Sequence, residues 1–156
     1  MADLIIIRGQ QQSGKTTTTG MVYQALLRLS EPEHEFDNRL VSKDSLRFNS
    51  HGSTMDFTAI LTVKNKRIGI VSEGDIADFV RPKLRTIINR NVDIIICCAR
   101  TRDRSGSTYR MILDEFASEH RIVSEIFTEF SENREEQFTI KEPIVNEVVE
   151  TVLSLL

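Results

Sequence analysis

Gly9-Gln10-Gln11-Gln12-Ser13-Gly14-Lys15-Thr16 is the stretch whose reading decides the fold. It fits the pattern G-x-x-x-x-G-K-[ST] at every fixed position. Leu4-Ile5-Ile6-Ile7, just before it, is an apolar run of strand length. Thr17 to Ser30, just after it, has helix length, with Val22, Ala25, Leu26 and Leu29 at helical spacing. A strand that delivers a glycine-rich turn into a helix aims backbone N–H groups at one point, and that point suits phosphate oxygens. Gly9 and Gly14 free the backbone for conformations closed to residues with a Cβ. Lys15 has the reach for outer phosphates, and the Thr16 hydroxyl suits a magnesium ion bound with them. The candidate nucleotide-binding residues are therefore Gly9, Gln10, Gln11, Gln12, Ser13, Gly14, Lys15, Thr16 and Thr17.

Outward from this loop, Glu31 to Glu35 reads as a polar connection, with His34 as a solvated loop residue. Leu40-Val41 begins a short strand. Met55, Phe57, Ala59, Leu61 and Val63 alternate with Asp56, Thr58, Ile60 and Thr62, a period close to two. The short turn Lys64 to Arg67 then joins this strand to Ile68-Gly69-Ile70-Val71 as an antiparallel hairpin. Pro82 suits the first turn of a helix running to about Arg90. Val92 to Ala99 is unbroken and rich in β-branched residues, as a central parallel strand requires. Ser107 or Thr108 caps the next helix, Arg121 to Phe127 is a last strand, and Pro143 opens a C-terminal helix. Residues 1–156 read as a single domain. The expected fold is α/β and three-layered, with a mostly parallel sheet and one antiparallel edge hairpin.

Three clusters carry chemistry. Ser72-Glu73-Gly74-Asp75 follows a strand on the side where open α/β sheets bind ligands, so Glu73 and Asp75 join Thr16 as magnesium candidates. Gly74 would let the backbone approach a terminal phosphate. Arg100, Arg102 and Arg104 follow another strand on the same edge, where guanidinium groups clamp phosphates or balance charge in transfer. The following Ser105-Gly106-Ser107-Thr108 reads as a second anion site at a helix start, with a solvated basic loop as the competing reading. Asp44, in Lys43-Asp44-Ser45-Leu46-Arg47, can take a proton from an acceptor hydroxyl, and an ordinary exposed loop fits it equally well.

Through Gly9 to Thr16 the chain resembles the P-loop NTPases, which implies a fold of that type and nucleotide binding. Leu40 to Arg47 looks like the strand-plus-Asp-x-x-Arg element of polynucleotide-kinase-type kinases, where the aspartate meets the acceptor hydroxyl. Arg100 to Arg104 is similar to the longer arginine-bearing lid of nucleotide kinases. The hairpin and its acidic turn are similar to small GTPases. However, Glu73-Gly74-Asp75 is not the Asp-x-x-Gly of that family, and no Asn-Lys-x-Asp guanine-reading motif follows the last strand, which ends in Thr128-Glu129-Phe130-Ser131. ATP with magnesium is the expected ligand pair. The expected function is phosphotransfer to a small molecule or nucleotide, with a nucleotide-dependent regulatory ATPase or switch as the alternative.

Composition bounds these readings. The 156 residues carry a formal net charge of -3, which argues against a nucleic-acid footprint spread over the surface. No apolar run approaches membrane-spanning length, and Met1-Ala2-Asp3 lacks the basic start of a signal peptide. The adjacent Cys97 and Cys98 point to opposite faces of a strand and read as core residues of a cytoplasmic protein. Oligomeric state is left open.

Overall fold

The computed structural model describes residues 1–10, 14–128 and 134–156, with side chains in the last segment from 141 onward. In chain order the elements are β1 (Asp3–Arg8), α1 (Lys15–Leu27), β2 (His34–Phe36), β3 (Arg39–Val41), β4 (Thr58–Val63) and β5 (Lys66–Val71). They continue with α2 (Ala77–Ile88), β6 (Ile94–Ala99), α3 (Thr108–Glu115), β7 (Arg121–Phe127) and α4 (Arg134–Ser154). The strands form one seven-stranded sheet in the order β3-β2-β4-β5-β6-β1-β7.

The apolar runs become the central strands because both faces of the sheet are covered. In β1, Ile5 and Ile7 face one core with Val22 and Leu26 of α1 and Val148 and Val152 of α4. Leu4 and Ile6 face the other core with Val80, Leu84 and Ile87 of α2 and Met111 and Ile112 of α3. Burial on both sides explains the absence of polar alternation in β1 and β6. Cys97 and Cys98 fall into opposite cores, fully buried and as free thiols.

The sheet corrects the sequence-based expectation of a three-layer P-loop NTPase-type fold with a mostly parallel sheet and one antiparallel edge hairpin. Pairing is parallel for β5–β6, β6–β1 and β1–β7, and antiparallel for β3–β2, β2–β4 and β4–β5, so the sheet is evenly mixed. The difference arises at residues 34–41. Asp37 and Asn38 both take positive φ, 49° and 63°, and close a two-residue turn that adds β2 and β3 beside β4. Asp and Asn tolerate this conformation better than other non-glycine residues. His34 is accordingly not a solvated loop residue. It is 3% exposed, and its Nε2 lies 2.7 Å from the Tyr23 hydroxyl.

Two helix starts also differ. α2 begins at Ala77 and α4 at Arg134, so Pro82 and Pro143 lie inside helices rather than opening them. In α2, buried Val80, Leu84 and Ile87 repeat at helical spacing across Pro82, and their burial offsets the one hydrogen bond that proline forgoes. Among the described residues, no helix is long and apolar enough to cross a membrane.

Candidate functional site

The three parallel pairings place the C-terminal ends of β1, β5, β6 and β7 along one edge of the sheet. Gly9 leaves β1 there, its N–H bonded to the Ala99 carbonyl at the end of β6. Gly14 precedes α1 with φ 82°, a left-handed conformation that favours glycine, and its carbonyl accepts from Thr18 N–H. Gln11, Gln12 and Ser13 lie outside the described residues.

Lys15 is 5% exposed at the start of α1. Its ammonium donates to the carbonyls of Gly9 (2.9 Å) and Gln10 (3.0 Å) and pairs with Asp75 Oδ1 at 2.9 Å. Asp75 also faces Arg100, whose Nε stands 3.5 Å from the same oxygen. The acidic turn after β5 therefore meets the lysine of the loop, and Arg100 of the loop after β6 meets the same carboxylate.

Thr16 turns to a second carboxylate. Its hydroxyl donates to Asp56 Oδ1 at 2.8 Å, and the Ser72 hydroxyl donates to the same atom at 3.2 Å. Glu73 shares a hydrogen bond with Asp56. That bond, reinforced by burial and by the Asp56 charge, raises Glu73 from its ordinary 4.5 to about 7. Burial opposes the Asp56 charge, but hydrogen bonds from Glu73, Thr16 and Ser72 and the charge of Lys83 hold Asp56 below the ordinary carboxylate range. The two carboxyls of the turn thus separate. Glu73 sides with Thr16 and Asp56, and Asp75 sides with Lys15 and Arg100. Gly14, Lys15, Thr16, Thr17, Asp56, Glu73 and Asp75 help line a cavity of about 410 Å³.

Arg102 and Arg104 line adjoining cavities with Arg100, beside Ser105, Gly106 and Ser107. Ser107 caps α3, its Oγ accepting from Arg110 N–H, as the sequence suggests. Asp44 is not brought to this site. Its carboxylate is held by Gln24 Nε2 (2.9 Å) and Leu46 N–H (3.0 Å), and Gln24 stands roughly two and a half turns along α1 from Lys15. Gly74 lines the same cavity as Lys15 and Thr16 and also packs closely against β6. A Cβ there would lie 2.6 Å from Cys98 Cβ and 2.7 Å from its backbone carbon, so glycine serves close packing of the turn on β6.

The sequence reading passed over two residues. Asp56 reads as one polar position in an alternating strand, yet the hairpin itself contains its placement. Thr58 pairs with Val71, and the same antiparallel register carried outward sets Asp56 opposite Glu73. Lys141 of α4 is 2% exposed and lies against Gly14, its Nζ 2.6 Å from where a Gly14 Cβ would stand. Burial pushes its pKa down. No local pattern signals this contact, because it depends on how α4 packs along α1.

Arg8 anchors the base of the loop. Its guanidinium lies 3.6 Å from the Tyr109 ring centre, pairs with Glu125 at 3.2 Å and donates to the Thr101 carbonyl. It joins the end of β1 to the arginine loop and to α3. Searches against family models, curated proteins and solved structures find no match to this chain, so its function is argued from its geometry.

Proposed function

We propose that this chain is a P-loop protein that binds ATP with magnesium through Gly9–Thr17 and transfers the terminal phosphoryl group to a small molecule or nucleotide. One observation carries the reading: Lys15 and Thr16 stand side by side, each facing its own carboxylate, Asp75 for the first and the Asp56–Glu73 pair for the second. The donor set beside Thr16 fits magnesium, a hard cation that takes a few protein oxygens and completes its shell with phosphates and water. Thr16, Asp56 and Glu73 would hold it, and its chemistry there is to neutralise phosphate charge. Asp75, a metal candidate in the sequence, is better suited to the transfer side.

Lys15 and the loop amides bind the outer phosphates, and Arg100 meets charge that grows during transfer. Asp75 replaces Asp44 as the group that orients the acceptor hydroxyl. The acceptor oxygen bonds to the terminal phosphorus as the bond to the diphosphate breaks, and the acceptor proton passes to Asp75. A cytoplasmic setting belongs to this reading, supported by the free thiols of Cys97 and Cys98. Calorimetric titration with ATP and ADP, followed by a product assay on a panel of acceptors, tests it. ATP turnover by Asp75→Asn equal to that of the parent would overturn the role of Asp75.

A second reading, a nucleotide-dependent switch, draws on the same ion pair. A terminal phosphate competes with Asp75 for Lys15, and the turn bearing Asp75 leads into Ile76 and Phe79, which are 48% and 57% exposed. Hydrolysis without any acceptor, with nucleotide-dependent binding of a protein partner at Ile76 and Phe79, would favour the switch over the kinase.

A further inference from the structure

A second cavity opens beside the phosphate cavity and shares Asp75 with it. It measures about 480 Å³ and lies between α2, the start of α3 and Arg100. A smaller recess of about 180 Å³ adjoins it, lined by Asp75, Arg100, Arg102, Arg104 and Ser105–Ser107. The first volume is within the range that takes a small organic ligand, and the second has room for one compact ionic group.

The charges around these spaces do not balance. Every carboxylate on the wall of the larger cavity already has a cation. Asp75 meets Lys15 and Arg100, Asp78 meets Arg81 at 2.8 Å, Asp114 meets Arg110 at 3.3 Å, and Glu115 meets Arg81 at 2.9 Å and Arg85 at 3.1 Å. Asp103, within the loop, is taken by Arg110 at 3.4 Å. Arg102 and Arg104 form no ion pair among the described residues, although both line the recess with Arg100. Three guanidinium groups held in one short loop repel one another unless an anion lies between them.

The backbone is arranged for the same ligand. Gly106 takes φ 85°, and a Cβ on it would meet nothing within 4 Å, so this stretch of main chain is open to an approaching group. The first-turn N–H groups of α3 start directly after it, and Ser107 fixes that start by accepting from both Arg104 N–H and Arg110 N–H.

We propose that Arg102, Arg104 and the Ser105–Ser107 turn form a second anion site, and that it takes the phosphate of a phosphorylated, hydroxyl-bearing acceptor whose reacting hydroxyl reaches Asp75. The acceptor role rests on the phosphotransfer reading; the anion site does not. Asp75 is the shared wall, so an acceptor anchored at the arginines extends through the larger cavity toward the phosphate cavity. The paired carboxylates on its path offer hydrogen-bond acceptors to hydroxyl groups, which favours a sugar phosphate or nucleotide over an apolar phosphate ester.

The test is an amide NMR titration of the labelled full chain with inorganic phosphate, then with ribose 5-phosphate. The expected result is saturable shifts of the Ser105 and Gly106 amides in the parent and in Lys15→Ala, where the nucleotide loop is disabled. Both probes should weaken by about tenfold or more in Arg102→Ala/Arg104→Ala at an unchanged melting temperature. Ser105 and Gly106 amides that stay still while Gly14 and Lys15 amides respond would overturn the second site and leave the nucleotide reading intact. A double variant that titrates like the parent would also overturn it. Shifts at Ser105 and Gly106 in a parent protein that itself binds no ATP would refute the acceptor role and keep the anion site.

Discussion

At the scale of single residues, the site depends on a few charged groups whose states are set by their neighbours. Lys15 is nearly buried and makes three polar contacts, all at the loop edge of the sheet. Lys15→Ala is expected to cost about 1.5–3 kcal/mol of ATP binding, which is the strength of a hydrogen bond to a charged group. Titration calorimetry on the folded variant checks this, and an unchanged affinity would remove the phosphate-loop assignment. Glu73 gives a prediction about pH. Its folded value, about 7, exceeds its ordinary 4.5, so the folded state holds the proton more tightly. The associated stability is complete below about 4.5 and is lost as pH rises through 7. Melting temperature without ligand should therefore fall over that interval, and Glu73→Gln, which keeps a donor toward Asp56, should flatten the fall. A melting temperature that rises equally in both proteins over the same interval would contradict the shared proton. Asp56 acts in a separate window, since its lowered value places its own contribution at more acidic pH.

At the scale of elements, the turn after β5 is held from three directions: Glu73 to Asp56, Asp75 to Lys15, and Gly74 flat against Cys98 of β6. Gly74→Ala is expected to destabilise the protein by about 1–3 kcal/mol, because its Cβ meets backbone that cannot move aside. It should also lower turnover beyond the loss of folded protein, since the displaced turn carries both carboxyls. Chemical denaturation and the rate per folded molecule separate the two effects, and a variant of parental stability would show that the turn has slack. Much of this architecture was legible beforehand. β1, the helix that follows Gly14, the β4–β5 hairpin, the burial of β6 and a cap at Ser107 follow from periodicity and turn chemistry that act within a few residues. The missed features depend on distant packing. β2 and β3 are three residues each, too short to show a period, and they exist because β4 offers them an edge. Asp44 resembled a catalytic base in sequence, but Gln24 and its own loop hold it. Asp56 was hidden in a strand pattern that explained it fully, and only the register with Glu73 shows otherwise.

At the scale of the whole molecule, a ligand that binds only the folded state raises its stability in proportion to the logarithm of its concentration over Kd. ATP with magnesium at a hundredfold excess over the parent Kd should add about 2.7 kcal/mol to the stability of the parent and only about 0.3–1.3 kcal/mol to Lys15→Ala, as melting curves would show. GTP should do no better than ATP, since no guanine-reading motif follows the last strand. A tenfold preference for GTP, about 1.4 kcal/mol, would reverse the choice of nucleotide. The sheet order has a further consequence, for how the molecule assembles. β1 lies between β6 and β7, and Asp3 pairs with Ile94 on one side and with Arg121 on the other. Closing loops of about 90 and 120 residues makes both pairings slow compared with the local β4–β5 hairpin. During synthesis, the strand that leads into Gly9 must wait for most of the chain before it finds either neighbour. Until then its run of isoleucines is exposed, as an aggregation-prone segment or a chaperone target would be. Nucleotide binding should therefore be among the last properties to appear in refolding, well after the β4–β5 hairpin gains hydrogen-exchange protection.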